Sequence, residues 1–231
     1  MISEDEWDLA SRITKQLYLE NYRETIVNWI SEKETEILDV LDKKRYSVRG
    51  QSFEVSVGKR NALEMKIKES RLKNNGGVDL ATVDDICRWG FGRDFPERDP
   101  DEVLKVTRNA FESADKDDFH NAAFEMMKPT GVNISRASKI IGLSDQEKFC
   151  VYDSRVGHAL RTLKKGGVKL IRCPPDQSSK RDWDSGTKKI RAIDYERLIW
   201  TMGVFREHFK NRDRILRAAD IEIALYVIGE E

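Results

Sequence analysis

Residues 129–156 read "PTGVNISRASKIIGLSDQEKFCVYDSRV", and the parsing of this stretch decides the fold. Pro129 cannot continue the helical pattern before it, and it biases its neighbour towards extended geometry. Gly131 offers a positive φ without steric cost, and Asn133 is the next-best residue for a left-handed position. Residues 134–143 then resume helical periodicity, so the spacing predicts helix, tight turn, helix. A further helix start follows at Asp153, which stands where an N-cap belongs ahead of Val156, Ala159, Leu160 and Leu163.

Working outward, "DPDEVLKVTRNAFESA" opens with Asp99 as N-cap, Pro100 at the first helical position and Glu102 three residues past the cap. Its inward stripe is Val103, Val106, Ala110, Phe111 and Ala114. In "DDFHNAAFEMMK" the inward set is Phe119, Ala123, Met126 and Met127. Residues 82–89 read as a short helix, and "SDQE" at 144–147 carries a capping-box pattern that predicts a helix restart. Leu9, Ile13 and Leu17, then Ile26, Ile30, Ile37 and Leu41, predict two amphipathic helices broken near Asn21. "RYSVRGQSFEVSV" (45–57) alternates instead, which predicts a small β-hairpin. Asn74-Asn75-Gly76-Gly77 is a turn and a boundary. Residues 166–190 read as a long polar loop, followed by helices at 191–209 and 213–228. The expected fold is mostly all-α, organised as 1–75 (an N-terminal helical segment), 76–165 (a core containing the helix–turn–helix), 166–190 (a basic loop) and 191–231 (C-terminal helices).

A chain of 231 residues with 35% charged and 39% hydrophobic residues can bury a core and remain heavily solvated. Cys87, Cys150 and Cys173 are odd in number and include no CxxC, so no disulfide framework, metal site or cofactor is expected. The acidic start lacks a secretory layout, and the expected location is the cytoplasm. The longest apolar run, "IEIALYVIG", contains Glu222 and is too short for a membrane span. Charge is unevenly placed: residues 1–42 hold eleven acids against four bases, while residues 154–191 hold eleven bases against three acids. Such a division predicts one face for a polyanion.

The residues that could carry chemistry cluster around the opening stretch. Main-chain N–H groups and the helix dipole at Gly131, Val132, Asn133 and Ser135 suit a phosphate, with Arg136 extending the contact. Asp153 has two compatible roles, a structural N-cap and a carboxylate that works on developing positive charge. Arg155 sits at a helix start, where the dipole disfavours a cation. It therefore calls for a partner: a DNA phosphate, Asp153 or a buried acid. Trp89 and Phe91, beside Arg93, are either core or a stacking surface for an extruded base. Lys180, Arg181 and Trp183 read as a surface for unpaired bases. His120, His158 and His208 show no ligand spacing.

"PTGVNISRASKIIGL" and "FCVYDSRVGHAL" together resemble the helix-hairpin-helix and aspartate signature of the base-excision DNA glycosylase superfamily. "DPDEVLKVTRNAF" and "ADIEIALYVIGEE" are similar to the bacterial 8-oxoguanine-glycosylase-like branch. The likeness spans residues 82–163 and, more faintly, the last helix. It implies two helical subdomains with a cleft between them, a DNA duplex with a flipped base as partner, Asp153 as the essential aspartate, and phosphate binding at residues 131–135. One departure bears on mechanism. Bifunctional members carry a nucleophilic lysine where this chain has Ser135, and serine cannot form the imine that strand cleavage needs. The resemblance thus implies a monofunctional enzyme that hydrolyses the N-glycosidic bond with water. Lys139, one turn further along the same helix face, is the alternative amine for a glycosylase/lyase. A non-catalytic DNA-binding protein of the same fold is the other alternative, and a protein scaffold built on the acidic N-terminal helices is a third.

Overall fold

The computed structural model describes residues 14–46, 50–174 and 184–230. Among these, nine α-helices account for nearly all regular structure: α1 Lys15–Asp42, α2 Phe53–Lys73, α3 Leu80–Phe91, α4 Pro100–Asp115, α5 Phe119–Met126, α6 Ile134–Gly142, α7 Ser154–Ala159, α8 Ser185–Lys210 and α9 Ala218–Ile228. A 3-10 turn, Leu160–Thr162, leads from α7 into one antiparallel hairpin, β1 Lys164–Lys165 and β2 Val168–Lys169. The mostly all-α expectation holds. No helix among the described residues is long and apolar enough to cross a membrane.

Local signals set most boundaries. Asp99 caps α4 by accepting from Asp101 N at 3.0 Å, and Pro100 occupies the first turn, where its missing N–H removes no helical bond. The α4 stripe and the α5 set foreseen from periodicity are all buried. α5 packs along both α4 and α8, and α6 lies against α3, α5 and α8. Every residue of α6 is buried, including Arg136 and Lys139. A helix enclosed on all sides should be apolar, so its charged residues need partners inside the protein.

Five expectations are corrected. The hairpin near 45–57 is absent among the described residues of that stretch: residues 53–57 are the start of α2, because Ser52 Oγ accepts from Val55 N at 3.3 Å and the N-cap overrides the alternating pattern. The hairpin that does form lies at 164–169, within the segment read partly as loop. No break occurs at Asn21, whose side chain bonds Leu17 O at 2.8 Å and rides on a continuous α1. Residues 144–147 form a turn rather than a helix: Glu147 N bonds Asp145 Oδ1, while the Gln146 side chain turns inward to Arg60. Finally, α8 begins at Ser185 rather than 191, because Asp184 caps it through Thr187 N at 2.7 Å, and α9 begins at Ala218 rather than 213. Leu9 and Ile13 lie outside the described residues.

Candidate active site at the Lys139–Asp153 pair

The turn before α6 is built by its neighbours. Gly131 adopts φ +77° and is exposed, and a β-carbon there would lie 3.3 Å from Pro96. Pro96 is held in place by the buried Asp84, whose Oδ1 accepts from Phe95 N at 2.8 Å and from Arg98 at 2.8 Å. Asn133 caps α6 by accepting from Arg136 N at 3.1 Å. Val132, by contrast, is buried and serves the core. Arg136 is also buried. Its guanidinium folds back to donate to Gly131 O and lies over the Phe91 ring at 5.2 Å. Burial, with Arg93 nearby, pushes its pKa down. The side chain therefore braces the turn from within, where the sequence suggested an outward phosphate contact.

Asp153 is placed by a clamp from α6. Ser138 Oγ accepts from Tyr152 N at 2.9 Å and donates to Tyr152 O at 3.2 Å, which fixes both main-chain polar groups of the residue before Asp153. Close approach of this segment to α6 requires Gly142, where a β-carbon would fall 2.7 Å from Cys150 O. Tyr195 adds a bond to Cys150 O at 3.2 Å. Asp153 then caps α7, with Oδ1 accepting from Val156 N at 3.2 Å. Its other oxygen, Oδ2, lies 3.5 Å from Lys139 Nζ.

Lys139 reaches that point by running back towards the N-terminus of its own helix, the usual direction for a long helical side chain. Its amine also donates to Ser135 Oγ at 3.3 Å and sits 4.6 Å from the Phe91 ring centroid. The amine therefore lies beside the Ser135 hydroxyl, one helical turn before it on the same helix. Ser135 and Lys139 are both nearly buried, so Lys139 does not extend to solvent.

The pair opens into a cavity of about 80 Å³ lined by Tyr46, Arg60, Trp89, Gly90, Lys139, Val151, Asp153, Arg155, Glu222 and Tyr226. Arg60 and Glu222 form one wall, joined at 2.5 Å and almost without solvent exposure. Arg60 also donates to Gln146 at 3.3 Å and Tyr46 Oη at 3.4 Å. Burial opposes its charge, yet Glu222 and Tyr46 outweigh that and move its pKa up. Burial raises Glu222, with Arg60 pulling the other way. The indole N–H of Trp89 is buried without a partner among the described residues. Arg155 finds neither Asp153 nor a buried acid; it donates to Tyr226 Oη, stacks on that ring at 4.5 Å and pairs with the exposed Glu230 at 3.0 Å.

Thus Asp153, Lys139, Trp89 and Arg155 come together, with Ser135 and Phe91 just behind. Lys180, Arg181 and Trp183 lie outside the described residues. Sequence reasoning missed Tyr46, Arg60, Gly90, Val151, Glu222 and Tyr226. Glu222 alone carried a signal, as the one acid inside an apolar run, since a buried charge implies a buried partner. A larger hollow of about 550 Å³ along α1 is lined by Lys15, Gln16, Leu19, Glu20 and Arg23. It is the open face of a single helix, without the convergence of several elements that a reaction site needs. Asp118, His120 and Glu196 form the one group of three ligand-type side chains close enough to share a metal ion among the described residues, their atoms within 4.8 Å of one another. No protein-family model, curated protein or solved structure matches this chain significantly.

Proposed function

We propose that the chain holds a nucleic-acid backbone at the exposed turn around Gly131 and breaks the N-glycosidic bond of a base drawn into the cavity beside Asp153. The observation that carries this reading is the Asp153 carboxylate itself: it is fixed as an N-cap, paired to an amine at 3.5 Å and open to a cavity with Tyr46, Trp89 and Tyr226 in its walls. An opening at the carboxylate favours an enzyme over a binding module whose equivalent space is filled. At about 80 Å³ the cavity is smaller than the roughly 150 Å³ void that takes benzene, so a base enters only as lining side chains move aside.

In the hydrolytic reaction a water oxygen bonds to the sugar C1′ and passes its proton to Asp153. The C1′–N bond breaks, and the base leaves with the electron pair. Asp153 also steadies positive charge developing on the sugar. A second reading is favoured by the position of Lys139. Its amine, beside Ser135, passes a proton to Asp153 and attacks C1′ as the C1′–N bond breaks and the base leaves with the electron pair. The sugar ring then opens to an imine, and loss of a C2′ proton expels the 3′ phosphate, which cleaves the strand.

Asp153→Asn tests the first claim cleanly, because asparagine caps a helix as well as aspartate does. Base release from modified oligonucleotides should fall by roughly 10²–10⁴, with DNA affinity and thermal stability retained. Full activity in that variant would remove Asp153 from the mechanism. Borohydride trapping separates the two routes: an adduct that disappears in Lys139→Ala establishes the amine route, and no adduct from an active enzyme establishes water.

A further inference from the structure

The hairpin at 164–169 brings two like charges face to face. Lys164 pairs directly with Lys169, and Lys165 with Val168, across a Gly166-Gly167 turn with φ +57° and +81°. Such a turn matches the twist of the strands and fixes the register. Residues at directly opposed positions project from the same face, and like charges placed so destabilise a hairpin. The hairpin is nonetheless firmly rooted. Leu163 and Leu170 at its base are buried and joined by a 3.1 Å bond from Leu170 N to Leu163 O. Its other face docks on α1, where Lys165 donates to Asn21 O and lies 5.6 Å from the Tyr22 ring. Lys164 and Lys169 therefore project from the face turned away from α1, and both are exposed.

Many exposed cations elsewhere pair with acids, as Lys33 does with Glu36, Lys66 with Asp85, Lys105 with Glu102 and Lys148 with Asp117. Lys15, Lys59, Lys73, Lys116 and Lys210 are exposed without an ion pair among the described residues, but none of them is locked opposite a second lysine in a strand register. Lys164 and Lys169 have no ion pair among the described residues, nor does Arg161 in the 3-10 turn that leads into the hairpin. Two lysines held side by side on a rigid mount, without counter-charge, make a ready site for adjacent anionic groups on one chain.

We propose that the Lys164/Lys169 face of this hairpin is a second nucleic-acid backbone contact, binding phosphates independently of sequence and separately from the Gly131 turn. This rests on reading the chain as a nucleic-acid-binding protein. A phosphodiester backbone fits better than a lipid surface, because Val168 is the hairpin's one exposed large apolar side chain and offers little to bury in a membrane.

The test is Lys164→Gln/Lys169→Gln in the full chain, titrated with an unmodified duplex oligonucleotide over a range of salt. Loss of two phosphate contacts should make the slope of log K against log salt shallower by about two. Over a fourfold rise in salt, the unaltered protein should then lose about tenfold more affinity than the variant. Thermal stability should stay level or rise, since an opposed like-charge pair has gone; a purely structural role predicts the reverse. An unchanged slope overturns the proposal and leaves the Asp153 reading intact. Base release at saturating DNA should match that of the unaltered protein, whereas its loss in Asp153→Asn alone concerns the site and not the hairpin. Binding to vesicles of anionic lipid but not to duplex would overturn it in favour of a membrane surface.

Discussion

The Lys139 side chain crosses α3 directly over Gly90: a β-carbon at position 90 would lie 2.6 Å from Lys139 Cδ and 2.8 Å from Cε. Gly90 is thus the gap through which the amine reaches Asp153 and Ser135. The contact is with the outer part of a flexible side chain, so the lysine can move without disturbing the backbone. Gly90→Ala should therefore gain up to ~1 kcal/mol through helix propensity, which offsets the loss of the amine's contacts with Asp153 and Ser135 and leaves stability nearly level. The same change should displace the amine and lower base release by on the order of 100-fold. Chemical denaturation and single-turnover kinetics on one preparation would show the two effects parting. Undiminished release would mean that the Lys139 amine is not part of the chemistry and would leave the water route through Asp153 standing.

This separation also explains what was legible in the sequence. The turn at Gly131, the caps at Asp99 and Asp153 and the stripes of α4 and α5 depend on residues within one or two helical turns, so local spacing reveals them. Lys139 was readable for the same reason, lying four residues from Ser135. Residues 53–57 misled because an alternating pattern and a helix start share the same few positions, and one serine hydroxyl at residue 52 decides between them. Gly90 and the cavity wall were illegible for a different reason. Arg60 lies in a segment crowded with other charges, and its partner Glu222 is 162 positions away. Only packing shows which of many similar cations is drawn inward.

The Arg60–Glu222 wall should be far more sensitive to losing one partner than to losing both. Glu222→Leu leaves a guanidinium enclosed with Tyr46 and Gln146 but without counter-charge, which typically costs about 3–5 kcal/mol. Replacing both, as Arg60→Met/Glu222→Leu, should recover most of that loss, because a buried ion pair contributes little net stability over apolar side chains of similar volume. Urea unfolding of the two variants checks this. A double variant as unstable as the single one would show that the bonds to Tyr46 and Gln146, and not the charge pair, hold the wall. Since Val151 N approaches Glu222 Oε2 at 3.5 Å, the single variant should also loosen the segment that carries Asp153.

Away from the cavity, His120 gives the protein a pH dependence of definite sign. Its Nδ1 lies 3.6 Å from Glu196 Oε1 and 3.2 Å from Asp118 Oδ1. The Glu196 carboxylate does most to raise its pKa above the ordinary imidazole value, burial opposes the rise, and Asp118 adds to it. A folded-state pKa above the unfolded one means that the native state binds the proton more tightly. The stabilisation is fully present below the unfolded value of about 6.5 and disappears as pH climbs through the folded value. Glu196 belongs to α8 and His120 to α5, so what weakens is a tie between these helices. An NMR titration of the His120 ring should give a midpoint above that of a histidine in a peptide. Glu196→Gln should move it down and flatten the loss of stability as pH rises above the ordinary imidazole value. A midpoint at or below the peptide value would show that burial outweighs the two carboxylates, and the slope of stability with pH would then reverse.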